Sequence, residues 1–171
     1  LSGTKTMTRR LLKDNVPLGN WEETKKHLPY KVGEVVAIAQ SYKEVYPNAD
    51  FEMIGDKFMT ESAGWSNKMF VRADLMPRHI EFTDVKVERL QDISDKECLR
   101  EGVKRASIGF YAEGVKVKDC EKEAHRETAS GCLKLFPFPR QAFASLIDKI
   151  SGNGTWKNNP FVAAYSFELI D

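Results

Sequence analysis

The run from Ile80 to Leu90 narrows the possible folds more than any other stretch of this sequence. Val85 and Val87 fall on one side of an extended chain and Asp84, Lys86 and Glu88 on the other, which is the alternation of a strand with one face in a core and one in water. A second such run closes the chain, where Tyr165, Phe167 and Leu169 alternate between Phe161 and Ile170. Val35 to Gln40, apolar on both faces, reads as an interior strand, and Lys68 to Ala73 reads as a further strand. Helical signals are short and local. Trp21 to His27 suits a surface turn of helix. Ser94-Asp95-Lys96-Glu97 is a capping box with Gly102 as its stop, giving a helix over 95–101. Phe143, Leu146, Ile147 and Ile150 recur at helical spacing between Pro139 and Gly152. Strands with few helices between them, and a late strand free to pair back, indicate an α+β chain built as a small mixed β-barrel rather than a doubly wound sheet.

Length and composition set the remaining bounds. At 171 residues, without an internal repeat or a Pro/Gly/Ser linker, residues 1–171 are expected to form a single domain. Irregular text at about 41–75 and 104–138 marks two insertions. A hydrophobic content of 42%, with 11% aromatic residues, excludes global disorder. The net charge of +1 gives no overall attraction to nucleic acid or anionic lipid, so any such affinity must be local. Cys98, Cys120 and Cys132 form no CxxC pair, and His27, His79 and His125 are far apart, so neither a disulfide scaffold nor a metal site is expected. No cofactor is called for. No window is apolar enough to span a membrane, and the expected location is the cytoplasm.

Charge is concentrated at the start. The first thirteen residues carry Lys5, Arg9, Arg10 and Lys13 and no acid, interleaved with Thr4, Thr6 and Thr8. Guanidinium, ammonium and hydroxyl donors together suit a phosphate or a polar base edge. The simpler alternative is a solvated basic face. Glu101 closes the capped helix, where the macrodipole disfavours a carboxylate by roughly 0.3–1 kcal/mol and tends to raise its pKa. Such a group is suited to acid–base work near neutral pH; the plain alternative is a glutamate exposed at a helix end. Tyr42, Tyr46, Trp65 and Tyr111 are able to stack on bases, although aromatics beside turns more often cover the edge of a core.

Several segments resemble the ASCH domain, a PUA-like barrel, in its phage and prophage form. Leu1 to Arg10 is similar to the family's opening GxKTxTxR signature, and Tyr30-Lys31-Val32-Gly33-Glu34 to the turn before its second strand. Phe82 to Leu90 resembles the TDV-VERL strand, Ile93 to Val103 the helix that follows, and Trp156 to Val162 the W-NPwV entry to the last strand. The resemblance implies a PUA-like mixed β-barrel with a few short helices packed on it. It also implies a cleft for a nucleoside or RNA, with no metal and no membrane partner. Some small members hydrolyse N4-acetylcytidine, and motif-to-motif their catalytic residues fall on Lys5, Thr8 and Glu101, with Thr6, Arg9 and Arg10 as ligand-binding neighbours. The alternatives are a non-catalytic RNA-binding module and a phage-encoded interaction protein. Ala39-Gln40-Ser41 stands where many phage-type members carry an Arg-Glu pair. Lys5 and Thr8 share a face on a turn but oppose each other on a strand, so a joint role requires a non-extended opening segment.

Overall fold

A long antiparallel strand organises the chain, as the alternation from Ile80 onward requires. The computed structural model describes residues 5–117 and 133–170. It contains β1 (Met7–Leu11), α1 (Trp21–Lys26), β2 (Val35–Ala37), α2 (Tyr42–Val45), β3 (Met53–Ile54), β4 (Lys57–Phe58) and β5 (His79–Arg89). There follow α3 (Asp95–Arg100), β6 (Lys104–Ala106), β7 (Gly109–Tyr111), α4 (Pro139–Ser151), α5 (Thr155–Asn158) and β8 (Phe161–Leu169). The protein is thus mixed α+β, with an antiparallel sheet in the order β1-β8-β5-β2 and mostly short helices.

The described residues divide into two compact units, 5–29 with 84–117 and 133–166, and 30–83 with 167–170. In the first, β1 pairs antiparallel with β8, Met7 opposite Ser166 and Leu11 opposite Val162. Its core gathers Leu90, Ile93, Cys98, Val103, Phe143, Ile147 and Val162, so the capped helix α3 and the long helix α4 bury their apolar residues together. α4 starts at Pro139 and stops before Gly152, as its punctuation predicts. Ile150, the last member of its expected apolar stripe, is nevertheless exposed. β8 departs from strict alternation, for Val162 to Tyr165 are all buried. Small Ala163 and Ala164 fit this because the strand lies between β1 and β5.

In the second unit β2 pairs with the start of β5, Val35 opposite Glu81. The expected interior strand is short and lies at the sheet edge, where Val35 is half exposed. A strand over 68–73 does not form. The Asn67 side chain accepts from Met69 N at 3.0 Å, and 3-10 turns at Lys68–Phe70 and Ala73–Leu75 take its place, a local side-chain bond outcompeting a ladder. Tyr42, Ala49, Met59 and Met76 form this unit's core, with Trp65 and Tyr46 packed on it. Tyr42, Tyr46 and Trp65 therefore cover a core. The segment 41–75 holds α2 and the β3–β4 hairpin. Segment 104–138 opens with the β6–β7 hairpin, and its residues 118–132, including Cys120 and His125, lie outside the described residues. Among the described residues no helix is long and apolar enough to cross a membrane.

Candidate functional site

The site begins with the alternation of β1. Met7 and Arg9 are buried, while Thr8 and Arg10 project to the other face of the strand, Arg10 into solvent. Lys5 and Thr6 precede the strand and are tied to the end of α3. Thr6 N donates to the Arg100 carbonyl at 2.9 Å, and Arg100 Nε donates to Thr6 Oγ1 at 2.9 Å. Arg100 also reaches Ser166 Oγ at 3.1 Å.

Arg9, with 1% of its side chain exposed, is the hub of an ionic network. Its Nη2 meets Glu88 Oε1 at 2.6 Å and Glu97 Oε2 at 3.2 Å, and its Nη1 meets Glu101 Oε1 at 3.1 Å. Lys86 bridges Glu88 at 2.8 Å and Glu97 at 2.6 Å. Lys5 Nζ, 37% exposed, stands 3.7 Å from Glu101 Oε2. Local structure aims these groups. Lys86 and Glu88 are two apart on the polar face of β5, and Glu97 and Glu101 are four apart on one side of the α3 region. Glu97 also completes the capping box, its Oε2 accepting from Ser94 N at 2.9 Å. Three cations face three carboxylates, so the cluster is electrically neutral.

Two of its carboxyls, Glu101 and Glu97, are shifted in opposite directions. Burial pushes Glu101 above the ordinary carboxylate range, against the pull of Lys5 and Arg9. Burial acts the same way on Glu97, but hydrogen bonds from Lys86 and Ser94, with Arg9 nearby, outweigh it and hold that group at about 2. Lys86 is raised: its partial burial works against the charge, and its bonds to Glu88 and Glu97 overcome that. The Cys98 thiol, buried under α3, is pushed up to about 12 and is chemically inert.

Of the expected site residues, Lys5, Arg9 and Glu101 come together. Lys5 and Thr6 lie before the strand, which runs from Met7 onward, so strand geometry directs Thr8 away from the face that Arg9 shares with Glu101. Thr6 serves Arg100, and Arg10 lies on the open face. The expectation that Arg9 contacts a ligand meets a burial that commits its guanidinium to three carboxylates. Sequence reading missed Lys86, Glu88 and Arg100 as site residues and took Glu97 for a cap alone; the i,i+2 and i,i+4 spacings were the available signal. No family model, curated protein or solved structure matches the chain.

Proposed function

We propose that this chain is an ASCH-type, PUA-like module that binds a nucleoside at the Lys5–Glu101 pair. The carrying observation is the geometry of that pair: a half-exposed ammonium rests 3.7 Å from a carboxylate that is otherwise buried and anchored on its far oxygen by Arg9. At 3.7 Å the contact is longer than a hydrogen bond and is readily exchanged for ligand bonds. An ammonium donor beside a carboxylate acceptor complements an amide-like edge, in which an exocyclic amine gives a hydrogen bond and a carbonyl takes one. The neutrality of the cluster favours an uncharged base over a phosphate at this spot. Thermal unfolding in the presence of cytidine, N4-acetylcytidine and other modified nucleosides tests the reading. A ligand that raises Tm, and ceases to do so in Lys5→Ala and Glu101→Gln, is the expected result. A panel without effect sinks it.

A hydrolytic reading draws on one further feature, the raised carboxyl of Glu101 beside Lys5, which suits proton transfer to a leaving amine. With Thr8 on the other face of β1, the attacking group in this reading is water. Acetate release from N4-acetylcytidine is then lost in Glu101→Gln and retained in Thr8→Ala. Loss of turnover in a folded Thr8→Ala would restore the hydroxyl as nucleophile.

A further inference from the structure

We infer that the groove between α3 and the β6–β7 hairpin is a separate binding site for a phosphorylated nucleotide unit, free or within a strand. α3 presents two different sides. Glu97 and Glu101 turn toward Arg9, whereas Lys96, Leu99, Arg100 and Val103 line a groove of about 540 Å³. That volume lies within the few hundred to a thousand Å³ typical of small-ligand sites. The hairpin adds Lys104, Arg105 and Tyr111 to the lining.

Charge separates this groove from the neutral cluster behind it. Its lining has four cations and no acid. Lys104 is offset by exposed Glu113 at 2.5 Å, but no carboxylate partner appears for Lys96, Arg100 or Arg105 among the described residues. Arg100 spends its donors on neutral oxygens of Thr6 and Ser166, which fix the guanidinium without neutralising it. Arg105 lies over the Phe110 ring. Lys96, Arg100 and Arg105 thus leave positive charge bordering the groove that no carboxylate among the described residues offsets, and that charge attracts an anion.

The shape of the ligand follows from what lies between the charges. Tyr111 is directly opposite Lys104 in the hairpin register, so ring and ammonium share a face. With Leu99 and Val103 they form an apolar floor beside cationic groups, suited to a flat base carrying a phosphate. An acidic peptide would engage the cations and leave the floor unused. This inference does not rest on the Lys5–Glu101 reading, because the two sites use different side chains.

Fluorescence anisotropy with labelled oligouridylate, competed by the unlabelled strand, by UMP and by polyglutamate, tests it. Lys96→Glu combined with Arg105→Glu, both exposed positions, is expected to weaken binding by at least about tenfold. Tyr111→Leu should weaken it severalfold, and Lys26→Ala, on the exposed side of α1 and in neither site, should leave it unchanged. Full competition by UMP assigns the groove to a free nucleotide, and competition only by unlabelled strand assigns it to a polymer; either supports the site. Binding within about twofold of the parent in the folded double variant would overturn it. So would polyglutamate competing as well as RNA, or no binding of the labelled strand at low salt. Loss in Lys5→Ala with the groove variants unaffected would overturn the groove while supporting nucleoside binding at the other site.

Discussion

Arg9 shows how one side chain serves stability where its sequence context suggests ligand binding. It is buried and spreads its donors over Glu88, Glu97 and Glu101, a geometry that an ammonium group does not reproduce. Arg9→Met should therefore destabilise by about 3–5 kcal/mol in urea unfolding, because three carboxylates then lose their shared buried cation. Arg9→Lys should recover only part of this. Arg10→Ala, on the exposed face, should change stability by no more than about 0.5 kcal/mol. Equal effects at the two positions would contradict the network. Glu97 adds a pH dependence whose sign is fixed by its direction. Its folded-state pKa of about 2 lies below the ordinary glutamate value of 4.5, so its contribution is present above 4.5 and is lost as pH falls toward 2. Glu101, raised, acts oppositely: its protonated form favours the fold, and that contribution is lost as pH rises through the folded value. Glu97→Gln should flatten the acid limb of a stability-versus-pH curve, and an unchanged limb would place the acid sensitivity elsewhere.

At the level of elements, α3 has the most roles, since one short helix with its C-cap Glu101 supplies a capping box, a core residue, two of the three carboxylates of the ionic cluster and a groove wall. Ser94→Ala removes the box at its start and should cost about 1 kcal/mol. Because Ser94 also helps to hold the Glu97 carboxyl down, the same change should raise the midpoint of that group in an NMR titration. The glycines that follow differ in kind. Gly102 has φ +103°, and a methyl added there would meet only Lys5 Cδ, at 3.6 Å, so Gly102→Ala faces backbone strain alone, about 1–2 kcal/mol. Gly109, also at positive φ, would place a Cβ 2.5 Å from the Phe136 carbonyl oxygen, and Gly109→Ala should be clearly worse. That close approach lets β7 lie against Phe136, which exchanges backbone hydrogen bonds with Phe110 at 2.8 Å. These elements were readable because their signals are local: alternation in β5, a capping box in α3, Pro and Gly around α4. The burial of Arg9 was not, since its partners Glu88 and Glu101 are 79 and 92 residues away. The edge position of β2 likewise depends on strand order, which an apolar run of residues does not encode.

For the molecule as a whole, near-balanced charge makes the response to salt a property of each site rather than of the entire surface. With 26 basic and 25 acidic residues, the field far from the surface is weak, and a polyanion gains little until it reaches a local excess. The groove supplies three cations without carboxylate partners among the described residues, and for single-stranded nucleic acid each phosphate neutralised contributes about −0.7 to the salt slope. An RNA strand held only there should give log K against log salt a slope of about −2. Lys96→Glu with Arg105→Glu should bring that slope close to zero. A parent slope steeper than about −4 would require phosphates outside the groove, and exposed Arg10 and Lys13 near β1 would be the first positions to neutralise. Nucleoside binding at the electrically neutral Lys5–Glu101 cluster should show almost no salt dependence, so the same salt series separates the two sites without any mutation.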